Sequence, residues 1–305
     1  MSYRSASEHY KEIFGEKVYR IALDAGCTCP NRDGTKGTGG CIFCSGSGSG
    51  EFAADGRLSI TEQMAFAKKK VEKKCKSHKY IAYFQNFTNT YGDEEKLKKK
   101  YEEAISDPEV VGISIATRPD CISEKMYAIL EELSQKTYVW IELGLQTIHE
   151  KTAEWFRRGY PLSDFETTVH RLAAIKGRLE IIVHVILDFP VETKDMMLDT
   201  IRYCSHLPIQ GIKIANLNVL SGTALAVLFE KEAFALMELN EYIDLLCEAV
   251  ELIRPDIVIY RMTGDGDKRH LIAPLWVADK RNVRNRIASE FSARKIEQGR
   301  KYRPC

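Results

Sequence analysis

Four cysteines, Cys27, Cys29, Cys41 and Cys44, lie in the segment Gly26-Cys-Thr-Cys-Pro-Asn-Arg-Asp-Gly-Thr-Lys-Gly-Thr-Gly-Gly-Cys-Ile-Phe-Cys44. Thiolates are soft ligands, and the glycines let the backbone fold tightly around an inorganic centre. Two centres suit them. All four thiolates could close a tetrahedral zinc site with a structural role. Alternatively, Cys29, Cys41 and Cys44 could hold three irons of a 4Fe–4S cluster and leave the fourth open for chemistry. Spacing alone leaves both readings standing. Cys27 and Cys29 are separated by one residue, so on extended chain they point to opposite faces. That weighs against the closed four-cysteine site.

The chain has nine cysteines, an odd number. A clustered set in a reducing compartment favours metal over a disulfide framework. Cys75, Cys121, Cys204, Cys247 and Cys305 receive no role. Free cysteine behaves as a small buried hydrophobe, and the terminal Cys305 is expected to be exposed.

The elements that must position these thiols alternate along the chain. β-Branched and aromatic runs predict strands at Val18–Leu23, Tyr80–Phe84, Val110–Ala116, Tyr138–Leu145, Glu180–Leu187, Gly211–Leu220 and Asp256–Met262. Helical patterns fall between them at Ser59–Lys79, Glu94–Ser106, Ser123–Ser134, His149–Arg157, Ser163–Lys176, Lys194–Ser205 and Leu239–Ile253. Ser59 followed by Glu62 is a capping-box signature. Repeating βα units mean parallel strands joined by right-handed crossovers. The expected fold class is α/β, a parallel (β/α)6-type partial TIM barrel with a short C-terminal extension. The expected divisions are an N-terminal segment 1–12, a core domain 13–258 and an extension 259–305. The cysteine segment follows the first strand and so lies at that strand's C-terminal end, where βα barrels build active sites. The Gly/Ser stretch Ser45–Gly50 reads as a loop of that site rather than a hinge.

Length and composition exclude other classes. The chain has 305 residues, 44% hydrophobic and 29% charged, with a formal net charge of +1. It is long enough to bury a large core and is not a strongly basic nucleic-acid packager. No apolar run is long enough to span a bilayer. The opening MSYRSASEHYKEIFGEKVYR lacks the apolar core of a secretory signal. The expectation is a soluble, cytoplasmic protein.

The run Cys29-Pro-Asn-Arg-Asp-Gly34 with Gly39-Gly-Cys41-Ile-Phe-Cys44 resembles the radical S-adenosylmethionine enzymes, in the branch near the catalytic subunit of Elongator. It is most similar to the short bacterial YhcC/YtqA-type group. Further segments match in order: Tyr83-Phe-Gln-Asn-Phe-Thr-Asn-Thr-Tyr91, Ala116-Thr-Arg-Pro-Asp120, Glu142-Leu-Gly-Leu-Gln146, Arg157-Arg-Gly159, Ile212-Lys-Ile214 and Leu271-Ile-Ala-Pro-Leu-Trp276. The resemblance covers nearly the whole chain.

It implies that Cys29, Cys41 and Cys44 hold a 4Fe–4S cluster and that S-adenosyl-L-methionine binds the open iron. Phe43 would lie against the adenine. Gln85 and Asn86 would meet the methionine amino group, and Gln146 and Arg158 the ribose and carboxylate, for which a planar guanidinium fork is suited. Glu142 and His184 would point into the barrel. A buried Glu requires a partner or a function. Arg118, held extended by the following proline, would aim into the mouth or pair with Asp120. Glu142, His184 and Arg118 are the weak catalytic candidates, and His184 is a candidate for cofactor contact as well.

Two departures stand out. The Gly-Leu-Pro-Gly-Glu turn of relatives is Asp188-Phe-Pro-Val-Glu192 here, replacing both glycines with residues that resist positive φ. Ala215, Asn216 and Asn218 stand where relatives tend to carry histidines. The resemblance implies a tRNA substrate modified at the wobble-uridine side chain, and an electron donor such as a flavodoxin or ferredoxin. Lys280–Arg303, with nine basic and two acidic residues, and Lys68–Lys79, with seven and one, could neutralise phosphates. A peptide or metabolite substrate, or a non-catalytic tRNA-binding relative, are the alternatives.

Overall fold

The computed structural model describes residues 2–46, 48, 53–232, 234–264 and 266–304. The chain opens with α1 (Ala6–Phe14), β1 (Tyr19–Leu23), α2 (Ile60–Val71), β2 (Tyr80–Phe84), α3 (Glu94–Ile105) and β3 (Val110–Thr117). It continues through α4 (Glu124–Lys136), β4 (Tyr138–Gln146), α5 (Glu150–Trp155), α6 (Leu162–Ala173), β5 (Leu179–Leu187), α7 (Lys194–His206) and β6 (Gly211–Asn216). It closes with β7 (Val219–Leu220), α8 (Ala224–Glu232), α9 (Leu239–Leu252), β8 (Val258–Arg261), β9 (Leu271–Ala273) and α10 (Lys280–Ala293).

Seven strands form one parallel sheet in the order β1-β2-β3-β4-β5-β6-β8, with β1 and β8 at its edges. Their Ile, Val and Leu side chains face outward alternately and meet the helices in one continuous core, as a sheet covered on both faces requires. The sheet curls into a partial barrel: Arg20 on β1 reaches Glu142 on β4, and Lys213 on β6 reaches Tyr83 on β2. The expected α/β partial barrel is the observed one. Each expected strand is present, with the run after residue 211 divided into β6 and β7.

Inward-facing residues stack in layers. The bottom is an apolar plug of Val18, Ile81, Trp140 and Ile182, sealed from below by Tyr10 of α1. A Cβ at Gly112 would come within 2.5 Å of the Trp140 ring, so glycine is what leaves room for it. Above lies a polar layer with Arg20, Tyr83, Ser114, Glu142, His184 and Lys213. Small residues, Ala22, Ala116, Gly144 and Ala215, line the space above that layer. They leave a cavity of about 520 Å³ between the polar floor and the cysteine loop.

α1 was not expected, although Ser5 and Glu8 form the same reciprocal capping box as Ser59 and Glu62. The lysine-rich stretch after residue 68 begins in the last turns of α2 and runs to the start of β2, at the barrel end opposite the cavity mouth. Lys68 is paired there with Asp107 and Glu109, and Lys79 with Glu16. That stretch is remote from the cavity. α10 packs along α9 through Arg294–Asp244 and Arg286–Asn240. Arg281 and Arg284, near its N-terminus, are exposed. No described helix is long and apolar enough to cross a membrane.

Candidate active site

Strand β1 hands the chain to the cysteine loop at the top of the barrel. Cys29, Cys41 and Cys44 line the cavity. Cys27 does not. It packs against the core between sheet and helices, where burial pushes its thiol up to about 12. The alternation expected for extended chain thus separates Cys27 from the other three, and the four-thiolate zinc reading loses its fourth ligand. Among the described residues, no group of three or more His, Cys, Asp or Glu side chains converges on one ion.

The loop is held from several sides. Asn31 Nδ2 donates to the carbonyls of Arg157 and Arg158 at 2.8 and 3.0 Å and approaches Cys41 Sγ at 3.8 Å. Arg32 donates to the carbonyls of Cys44 and Ser45 and stacks over the Phe87 ring. The Ile42 N–H donates to the Phe156 carbonyl and the Ile42 carbonyl accepts from the Leu225 N–H. The Cys41 and Cys44 thiols hydrogen-bond each other, and Cys41 ionises first. That bond, with Arg118, Asn31 and Arg32 in support, lowers it to about 7. Three thiols on one cavity wall, with Arg118 and Arg32 favouring the thiolate of Cys41, are the donor chemistry a three-cysteine 4Fe–4S cluster needs. Of the Ser45–Gly50 loop, residues 47, 49 and 50 lie outside the described ones. Gly48 lines the cavity and accepts from the Phe87 N–H.

Phe43 also faces the cavity, with ring centroids 5.3 Å from Phe156 and 6.5 Å from Phe189. Gln85 and Gln146 line the cavity; Gln146 has a positive φ of 69° at the end of β4. Asn86 turns away: it is buried, is absent from the lining and donates to Asp24 Oδ2 at 2.7 Å.

Arg158 touches the cavity wall, yet its guanidinium is committed within the protein. Nε donates to Tyr160 O, Nη1 to the Leu145 and Thr147 carbonyls, and Nη2 to both Glu150 oxygens. All five N–H groups are engaged, so in this arrangement Arg158 braces the β4–α5 connection and has no donor left for a carboxylate. Arg118 is extended as expected, with φ −90° and ψ 142°. It forms a two-pronged pair with Asp120 at 2.9 Å on each side and donates to Arg158 O. Its charge faces the cysteines while its donors organise the loop.

The polar floor centres on Glu142, whose side chain is fully buried. Ser114 donates to Oε1 at 2.7 Å, Tyr83 to Oε2 at 3.0 Å, and His184 Nε2 lies 2.7 Å from Oε2; Arg20 and Lys213 reach it as well. Burial alone would push this carboxyl up. Arg20, Lys213 and His184 together hold it well below the usual carboxylate range. Burial lowers His184 to about 4, so the ring is neutral near pH 7. A carboxylate only accepts, so Nε2 carries the ring proton and Nδ1 keeps a lone pair.

Asp188 adopts φ +72°. At the first departure the residue thus takes the left-handed conformation that glycine adopts most freely and that Asp and Asn tolerate best among side-chain residues, so the expected resistance to positive φ does not hold at this position. Its carboxylate accepts the Met237 N–H at 2.9 Å, and burial pushes it up to about 7. Val191 has no positive φ. Ala215, Asn216 and Asn218 line the cavity, and Asn216 Oδ1 accepts from the Gly264 N–H at 2.8 Å.

The sequence reading gave no role to Arg20, Arg32, Tyr83, Lys213, Tyr260 or Arg261. Arg20, Tyr83 and Lys213 occupy alternate strand positions whose inward phase was readable. Arg261 follows Tyr260 into the cavity through a register shift between β6 and β8, which no sequence pattern announces. Cys75, Cys204 and Cys247 are buried, as expected; Cys305 lies outside the described residues.

A curled parallel sheet with three cysteines at the top of its first strand defines a radical S-adenosylmethionine fold. The comparisons agree, and the chain belongs to the radical SAM superfamily. Its model matches residues 31–204, and that of the radical SAM C-terminal domain matches residues 209–293. The YtqA protein of Bacillus subtilis (strain 168) is 41% identical over 298 residues, 98% of this chain and 92% of its own length. The YhcC protein of Escherichia coli (strain K12) is 33% identical over 268 residues, 88% and 85% of the two chains. The archaeal Elp3 of Methanocaldococcus infernus has the same fold, with TM-score 0.66 at 16% identity. That likeness covers 92% of this chain and 64% of the Elp3 chain. The protein is therefore a radical SAM enzyme, and the family's cofactors are a 4Fe–4S cluster and S-adenosylmethionine.

Proposed function

We propose that this enzyme uses S-adenosylmethionine to modify tRNA at the wobble-uridine side chain. The observation that carries the reading is the ordered set of segments shared with the Elongator branch, from the cysteine loop to Leu271–Trp276, together with the Elp3 likeness of the fold. The exposed Arg281 and Arg284 on α10 give RNA a cationic approach.

Cys29, Cys41 and Cys44 would hold the cluster, and the cavity beneath them would take the cofactor and the substrate side chain. When bound, the cluster supplies the electron that cleaves the sulfonium to a 5′-deoxyadenosyl radical, drawn from a donor such as a flavodoxin or ferredoxin. The protein's own tasks are positional. Phe43, backed by Phe156, presents an aromatic face, and Gln85 and Gln146 present amides at the wall. The small residues Ala22, Ala116, Gly144 and Ala215 keep the reaction space open. His184, neutral and donating through Nε2, leaves Nδ1 as a hydrogen-bond acceptor at the floor.

The test is tRNA binding by the anaerobically reconstituted enzyme across a salt series. Replacing Arg281 and Arg284 with Glu is expected to weaken binding and to reduce the slope of log affinity against log salt by about 2. An unchanged affinity and slope would exclude this face from RNA contact. Salt-independent or absent binding by the unaltered enzyme would move the substrate to a peptide or metabolite.

A further inference from the structure

The cavity wall is lopsided in charge. Among the described residues it carries six cations, Arg20, Arg32, Arg118, Arg158, Lys213 and Arg261, against one carboxylate, Glu142. Most of the six are already occupied. Arg118 is paired with Asp120 and Arg158 with Glu150, while Arg32 holds loop carbonyls. Arg20 and Lys213 share Glu142, whose two oxygens also take Ser114, Tyr83 and His184. Arg261 is left over. Among the described residues its guanidinium makes no hydrogen bond or ion pair, and its Nε is buried without a partner, as is the Nε of Arg20.

A buried guanidinium donor without an acceptor is costly, and buried polar groups are almost always satisfied. Glu142 cannot supply the missing acceptor. The neighbouring Lys213 shows the same imbalance: burial, and after it the charges of Arg20 and Arg261, drive its pKa well below the ordinary lysine value, against the pull of Glu142. Among the described residues no carboxylate answers Arg261. Arg261 stands beside Lys213 in the β6–β8 register, at the floor of the barrel and away from the cysteine rim.

We propose that Arg261, with Lys213 beside it, forms an anion subsite for a compact acidic group, a carboxylate or a phosphate, carried by the part of the substrate that enters the barrel. The Arg261 guanidinium fork suits the oxygens of either group, and an anion bound beside it would favour the charged form of Lys213 on the adjacent strand. The proposal rests on the reading that this cavity receives the substrate, and it does not depend on that substrate being tRNA.

The test uses neither RNA nor turnover. The thermal midpoint of the anaerobic, cluster-loaded enzyme is measured at one scan rate in sodium chloride, sodium acetate and sodium phosphate of matched ionic strength. The three proteins compared are the unaltered enzyme, Arg261→Gln and Arg261→Lys. General salt effects on stability act on all three alike, so the readout is the difference between them. In acetate or phosphate the unaltered enzyme is expected to gain about 2 °C more than Arg261→Gln, and Arg261→Lys to keep part of that gain. Acetate alone acting would assign a carboxylate; phosphate acting more strongly would assign a phosphate. The gain should persist with saturating S-adenosylmethionine. Equal gains in the unaltered enzyme and Arg261→Gln would overturn the proposal. So would a gain that S-adenosylmethionine abolishes, since the acidic group would then be the cofactor's own.

Discussion

Gly159 and Asn31 occupy the same corner of the site: a Cβ at residue 159 would lie 2.5 Å from Asn31 Oδ1. Gly159 also has φ +76°. The contact matters because Asn31 ties the cysteine loop to the Arg157 and Arg158 carbonyls. Gly159→Ala is therefore expected to displace Asn31, lower the stability by about 1–3 kcal/mol and reduce the iron retained after reconstitution. Gly15→Ala is the comparison. Gly15 has a similar φ of 78°, but nothing lies within 4 Å of its added Cβ. It should lose about 1 kcal/mol for the left-handed φ alone and keep full iron. Equal iron in both variants would separate the Asn31 contact from cluster retention.

The cysteines divide three to one. Cys29→Ser, Cys41→Ser and Cys44→Ser are each expected to abolish stable cluster incorporation, seen as loss of iron, sulfide and the cluster's visible absorbance. Cys27→Ser should retain them, because Cys27 faces the helix layer. Zinc without sulfide, lost in the Cys27 variant, would restore the four-thiolate reading.

The order of strands and helices, and with it the mouth of the barrel, was legible because parallel strands buried on both faces read as short β-branched runs. The separation of Cys27 from Cys29 was legible from alternation alone. What escaped was what depends on long-range register. Arg158 looked available because sequence does not show that Glu150 and three backbone carbonyls converge on it. Asn86 belongs to the strand-end motif, yet its partner Asp24 comes from the C-terminal end of the neighbouring strand β1, 62 residues earlier in sequence. Arg261 enters the cavity only through a slipped register with β6.

Asp188 predicts a pH dependence. Its folded pKa is raised to about 7 from an ordinary value of 3.8, chiefly by burial. The folded state therefore keeps this proton where the unfolded chain has lost it. The resulting stability is fully present below the unfolded value and falls as pH rises toward about 7. Asp188→Asn removes the titration, can still accept the Met237 N–H and tolerates the positive φ. Its unfolding midpoint in denaturant should decline less between pH 5 and 8 (a window of roughly 3 pH units around the shifted carboxyl) than that of the unaltered protein. Parallel curves would show that Asp188 stays ionised in the fold.

The most direct measurement of the whole account is 5′-deoxyadenosine release by the anaerobically reconstituted enzyme, with and without tRNA from cells that lack the gene. The account predicts release that depends on Cys29, Cys41 and Cys44 and rises when that tRNA is added. Release that is unaffected by the tRNA would contradict the proposed substrate. No release at all from cluster-loaded protein, with S-adenosylmethionine and reductant present, would contradict the enzyme itself.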